Sequence, residues 1–302
     1  MLKHTIRHTT LISSMSSAMF AAMLFTTLAA GHAHADSKAD STFTTERRTV
    51  APFSSIHLGI PYQVIITADT GNTIELSGPR DKLADIETTV SGDTLTVRRP
   101  SRNGWSFNFS AGKDAKPLTV RISAANLKLL RNGGSGDVEL QQFHGQALTL
   151  VSSGSGDVQA SGDARALTVT SSGSGDLDLS RLKAGSLDII ASGSGDVSAS
   201  GVTNDLNVAV SGSGDIDITD IRAGQVNASV RGSGDITLDG SARELHAELS
   251  GSGELDAHRL TTGQADVKVR GSGEATVRIN DKGGRERLVT YERKSSRERS
   301  VN

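Results

Sequence analysis

Gly134-Ser135-Gly136-Asp137-Val138-Glu139-Leu140 decides the fold, because the chain keeps returning to it. Gly-Ser-Gly followed by an acid recurs seven more times, and the acids are Asp157, Asp176, Asp196, Asp215, Asp235, Glu254 and Glu274. Successive acids are 20, 19, 20, 19, 20, 19 and 20 residues apart, so the true unit is a 39-residue pair of unequal coils. A fixed period of this length marks a stacked architecture, in which each repeat buries its apolar side only against its neighbours.

Working outward from the motif, apolar and polar residues alternate at period two, as half-buried strands require. Val138 and Leu140 belong to one such strand, and Leu148, Leu150 and Ser152 to the next. Down the repeats, Leu148, Leu167, Leu187, Leu206, Val226, Leu245 and Ala265 fall in one column. Leu150, Val169, Ile189, Val208, Ala228, Ala247 and Val267 fall in another. The pattern predicts an all-β fold: a parallel β-solenoid, or β-helix, of about eight 19–20-residue coils over residues 131–280. With strands about 4.8 Å apart, eight coils make a rod on the order of 40 Å long.

The alternation of coil length has a packing correlate. Long coils place Phe143, Leu182, Ile221 and Leu260 six positions after the acid, whereas three short coils place Gly162, Gly201 and Gly240 five positions after it. The expectation is an apolar plug in one coil and a tight glycine bend in the next.

Residues 43–130 lack the repeat but still read as strands, at Ser55–Gly59, Tyr62–Thr67, Thr73–Leu76, Ile86–Val90, Thr94–Arg98 and Leu118–Ile122. Ser91-Gly92-Asp93 reads as a hairpin turn, and Pro79–Ala84 as a helical turn. This segment is expected to be an N-terminal β cap, since an open solenoid end exposes both its core and a strand edge. Residues 281–302 lose the pattern and hold seven basic against four acidic residues. Within this charged tail Leu288–Tyr291 offers one last strand, and the rest is expected to be partly disordered.

The first 35 residues read as a signal peptide. Lys3 and Arg7 precede an apolar run from Ala18 to Ala30, and Ala33-His34-Ala35 is a small-x-small cleavage pattern, with a flexible stretch at 36–42 to follow. The run is too short for a membrane span, which takes about 20 residues, and no later segment is a transmembrane candidate. The chain is therefore expected in the periplasm, on the cell surface or in the medium. It has no cysteine, which excludes disulfides, thiolate metal sites and a Cys nucleophile. Without Lys3 and Arg7 the chain carries 30 basic and 34 acidic residues, a balance that gives no general attraction to nucleic acid.

The stretch Phe53-Ser54-Ser55-Ile56-His57-Leu58-Gly59-Ile60-Pro61-Tyr62-Gln63-Val64, then Asp93-Thr94-Leu95-Thr96-Val97, then iterated Ser-Gly-Ser-Gly-Asp resembles the head GIN domain family, named for autotransporter adhesins. The resemblance covers about residues 50–280 and implies a right-handed β-solenoid in the cell envelope or outside the cell. A self-translocating autotransporter needs a C-terminal membrane barrel with aromatic girdles. The basic, aromatic-poor tail leads us to expect a passenger-like domain without its own translocator.

Two features are candidate sites. Stacking puts Asp137, Asp157, Asp176, Asp196, Asp215, Asp235, Glu254 and Glu274 in one row, where neighbours about 4.8 Å apart repel by about 0.9 kcal/mol in water. Hydrogen bonds from turn N–H groups and the Ser hydroxyls of the bend are one means of offsetting this; a ladder of Ca²⁺, which favours hard oxygen ligands, is another. Two residues further on, acids occur only in alternate coils, at Glu139, Asp178, Asp217 and Asp256. The second feature is the insertion Arg99–Pro117, in which Trp105, Phe107 and Phe109 alternate among Arg99, Arg102 and other cations. It reads either as a plug for the solenoid end or as a contact patch for an envelope or surface protein or glycan.

Catalysis finds little support. His57, His144, His246 and His258 are scattered without ligand or triad spacing, and a polysaccharide-active β-helix enzyme needs long loops to build a cleft. The reading is a noncatalytic, adhesin-like binding or structural protein. A Ca²⁺-stabilised solenoid and a polysaccharide-active enzyme are the alternatives.

Overall fold

The computed structural model describes residues 43–69, 71–100, 117–280 and 285–293. The expected signal peptide at 1–35, the stretch 36–42 and the insertion residues Arg102, Trp105, Phe107 and Phe109 lie outside the described residues.

Eight strands and one helical turn precede the repeat. They are β1 (Phe43–Thr49), β2 (Ser55–Gly59), β3 (Gln63–Thr67), β4 (Asn72–Pro79), α1 (Arg80–Leu83), β5 (Glu87–Ser91), β6 (Thr94–Arg98), β7 (Thr119–Ala124) and β8 (Leu129–Asn132). The repeats contribute β9 (Val138–Ser152), β10 (Val158–Ser171), β11 (Leu177–Ala191), β12 (Val197–Ser200) and β13 (Asp205–Val210). They continue as β14 (Ile216–Val230), β15 (Ile236–Leu249), β16 (Leu255–Val269) and β17 (Ala275–Asn280), and β18 (Glu286–Tyr291) follows. All are joined in one hydrogen-bonded β-solenoid.

Successive coils pair in parallel and in register: Val158 lies between Val138 and Leu177, and Leu167 between Leu148 and Leu187. Each coil therefore has two strand faces. The first begins just after the Gly-Ser-Gly-acid corner and the second ends just before the next one. The columns headed by Val138, Leu140, Leu148 and Leu150 point inward and are buried along most of the stack. Full burial of one such side chain contributes about 1.5–3 kcal/mol, so the ladders that no single coil could bury are the main source of cohesion.

At two of the three short coils the types interlock as their sequences imply; at the third, Gly201 (φ +78°) lies against the Lys183 side chain rather than opposite Leu182, and Val202 is buried beside Ala184. Gly162 pairs with Phe143 on one side and Leu182 on the other, and Gly240 pairs with Ile221 and Leu260. All four apolar partners are buried. Gly162 and Gly240 have φ of +126° and +134°, and a Cβ on either would overlap the carbonyl oxygen of its plug residue below. The extra residue of a long coil sits just before the plug, and Gln142 and Asp220 take left-handed φ of 54° and 53° there.

The corner glycines are needed for a different reason. Their φ values are ordinary, but the coils approach so closely that a Cβ on Gly173 would overlap the carbonyl oxygen of Gly154, and one on Gly193 that of Gly173.

The N-terminal segment continues both faces out of sequence order. The second face runs β5–β6–β2–β8 into the late half of β9, and the first runs β1–β4–β7–β3 into its early half. The coil made by β6 and β7 thus lies outside the earlier coil made by β2 and β3. The outermost strands β1, β4 and β5 are antiparallel to their neighbours. At the other end β18 pairs antiparallel with β17, Tyr291 opposite Ala275. No strand among the described residues pairs with the outer edge of Gln264–Val269, where Ala265, Val267 and Val269 are only partly buried.

Candidate functional site

The acid row is assembled as one exposed edge, and its carboxylates have specific partners. The backbone N–H of Asp157 donates to Oδ1 of Asp137 at 3.1 Å, and that of Asp176 to Asp157 at 2.9 Å. The series continues from Asp196 to Asp176 at 2.9 Å, Asp215 to Asp196 at 2.8 Å, Asp235 to Asp215 at 2.8 Å and Glu254 to Asp235 at 2.7 Å. The donor is thus the next coil rather than the acid's own turn, and the corner serines are not its partners; the expectation of local bonds is corrected in this respect. A hydrogen bond to a charged group is worth about 1.5–3 kcal/mol, against about 0.9 kcal/mol of repulsion per neighbour before screening. The bond wins.

Where the row changes to glutamate the ladder ends. Among the described residues no such bond joins Glu254 to Glu274. Burial, and then the charges of Glu274, Asp235 and Asp256, push the Glu254 carboxyl above the usual range. Without the bond that each aspartate accepts, neither the burial nor the repulsion at Glu254 is offset.

The diluted acid column makes local bonds instead. Asp178 accepts from the Ser180 hydroxyl and, at 3.1 Å, from its N–H, and the hydroxyl foremost holds its carboxyl below the usual aspartate range. Burial works to raise Asp256, but bonds from the ring and backbone of His258 outweigh it and hold that carboxyl low. No group of three or more His, Asp or Glu side chains among the described residues is arranged to hold a metal ion. Of the cationic and aromatic insertion, Arg99 is described: it is exposed and pairs with Asp85 at 3.4 Å.

A further feature lies on the outward side of the second face, which the sequence reading did not single out. Register aligns Asp188, Asn207, Asn227, His246 and Asp266 in one outward column, and Ile190, Ala209, Ser229, Glu248 and Lys268 in the next. Ala209 and Ser229 are small between longer neighbours, and the dip they leave is an open groove of about 570 Å³, within the ~300–1,000 Å³ of small-molecule sites. Asn227 Nδ2 donates to Asn207 Oδ1 at 2.7 Å, Asn207 donates in turn to Asp188, and Gln225 donates to Asn227 at 3.2 Å. The Ser229 hydroxyl is buried and has no hydrogen-bond partner. The signal available in sequence was the run of outward residues between the two buried columns, which carries no period.

The family whose description is "Putative auto-transporter adhesin, head GIN domain" matches residues 52–219, 162–238 and 202–283. The chain belongs to the head GIN domain family. Solved structures share this fold. A "putative adhesin" from Parabacteroides merdae is 18% identical, with TM-score 0.62 over 78% of this chain and 96% of its own. A "putative lipid binding protein" from Parabacteroides distasonis is 20% identical, with TM-score 0.61 over 80% and 97%. A "putative adhesin" from Bacteroides fragilis is 21% identical, with TM-score 0.54 over 80% and 98%. Among curated proteins none matches the chain. No helix among the described residues of this head GIN domain protein is long and apolar enough to cross a membrane.

Proposed function

We propose that the protein is a noncatalytic, exported β-solenoid of the cell envelope or surface that engages a protein or glycan partner. The leader-like segment ending at Ala35 supports export, with Asp36 as the first mature residue. The observation that carries the binding reading is the unobstructed second face. Between its strands and the next coil stand only the short Gly-Ser-Gly-acid corners, so no loop in the described repeat walls off a cleft, while a groove of mixed polar and apolar lining lies open on it. Membership of a family named for adhesins agrees with this reading. The insertion carrying Arg99, Arg102, Trp105, Phe107 and Phe109 is a second contact region, since aromatic and Arg side chains dominate interface energetics.

The test is capture of envelope polysaccharide and envelope protein fractions by purified residues 36–302, with Trp105→Ala alongside. Saturable capture, weakened by Trp105→Ala, is expected. Equal capture by both removes the insertion as a contact, and no capture by either contradicts the binding reading.

A further inference from the structure

The geometry points to the groove over Asn207, Ala209, Asn227 and Ser229 as a binding site for a neutral oligosaccharide. The inference rests on the binding reading above and names the class of ligand.

The chemistry of the groove selects that class. The backbone at Asn207, Ala209, Asn227 and Ser229 is already paired with the coils above and below, so at this part of the face a peptide cannot add as a strand, which requires a free edge; the free edge of the face lies at Gln264–Val269. A ligand here meets side chains alone. Asn207 and Asn227 each spend one amide N–H on the neighbouring coil and keep the second. Asp188 keeps acceptor capacity at one end of the same column. Donors and acceptors alternating along a shallow floor suit a ring of hydroxyls, each of which both donates and accepts.

Charge and apolar surface narrow the choice further. Glu248 pairs with Arg270, and Asp266 with Lys268 at 3.4 Å. Asp188 and Arg231 both lie on the groove lining, and His246 stands 3.8 Å from Glu244 and 3.9 Å from Asp266. With its flanking residues the groove carries four acids (Asp188, Glu244, Glu248 and Asp266) against three cations (Arg231, Lys268 and Arg270), a slight acidic excess that favours an uncharged ligand over a uronate or a phosphate. Ile190 is 55% exposed at the groove's end and gives the C–H face of a sugar ring an apolar seat.

The experiment is calorimetric titration of residues 36–302 with cello-, xylo-, manno- and chito-oligosaccharides, and with oligogalacturonate as the acidic comparison. The variants are Ala209→Trp, which fills the groove, Asn227→Ala, and Thr149→Trp, an outward substitution in a coil away from the groove. At least one neutral series is expected to bind wild type and Thr149→Trp alike. Binding should weaken by about tenfold or more in Ala209→Trp and Asn227→Ala, the size of effect that one or two hydrogen bonds carry, with unchanged melting temperatures. Binding of oligogalacturonate alone, of no oligosaccharide, or equal binding by Ala209→Trp overturns the inference. Envelope capture that survives in Ala209→Trp would leave the broader binding reading standing without this groove.

Discussion

Asp157 and Asp176 clasp one another across two coils through both backbone and side chain. The Asp176 N–H donates to the Asp157 carboxylate at 2.9 Å, while the N–H of Val158, next to Asp157, donates to the Asp176 carbonyl at 2.8 Å. One acidic residue per coil therefore closes the corner on both sides of its own peptide unit. This makes the acid row a structural seam whose charge is a cost it tolerates.

Asparagine keeps the acceptor oxygen and removes the charge, whereas alanine removes both. Asp176→Asn is accordingly expected within about 0.5 kcal/mol of wild type, and Asp176→Ala to lose about 1–2 kcal/mol in denaturant unfolding. Added NaCl should raise the stability of wild type more than that of Asp176→Asn, because screening relieves only a charged row.

The same seam bears on calcium. One oxygen of each aspartate from Asp137 to Asp235 already accepts an N–H, and Ca²⁺ requires about 6–8 oxygen ligands. Thermal melts in millimolar Ca²⁺ and in chelator are expected to coincide. A clear upward shift with Ca²⁺ would show that the free oxygens of the row recruit the ion.

Glu254 gives the row a pH signature. Its folded pKa lies above the ordinary 4.5, so its protonated form is the one the fold prefers, and stability falls as pH rises through the folded value. Glu254→Gln should be more stable than wild type at neutral pH. The difference should shrink as pH falls from the raised value towards 4.5 and vanish below it. Asp178 has the opposite sign: its pKa is lowered from 3.8, so its contribution is present above that value and is lost as pH falls through the folded one. Stability curves of Glu254→Gln and Asp178→Asn against pH check the two directions.

The corner glycines predict a sharp contrast. Gly193→Ala drives a methyl into the Gly173 carbonyl and should cost about 2–4 kcal/mol or prevent folding. Gly92 has φ of +61° with open space around it, so Gly92→Asn, a residue that tolerates this conformation, should change stability by less than about 1 kcal/mol. Circular dichroism melts separate the two.

What could be read in advance follows from what repeats. The marker spacing and the columns through Leu148 and Leu150 state the coil, and the offset between Phe143 and Gly162 states the two turn types. Strands Ser55–Gly59 and Thr94–Arg98 emerge from alternation alone. Strand β1 did not, because its charged sequence Phe43–Thr49 is mostly exposed, and neither did β8, whose four residues are too few to show a period. Nor did the coil order: which of the β2/β3 and β6/β7 coils lies outermost depends on pairing between distant segments. The acid row was legible as a row, yet its donors come from the adjacent coil, about twenty residues away in sequence. The groove depends on two small outward residues, Ala209 and Ser229, that only register brings side by side.

The most direct test of the account is one incubation of purified residues 36–302 with isolated envelope polysaccharide, and in parallel with envelope protein, followed for bound protein and for newly released reducing ends. The account predicts saturable binding with no release above the no-protein control. Release that scales with protein concentration would contradict the noncatalytic reading, and failure to bind either polysaccharide or envelope protein would contradict the account at its centre.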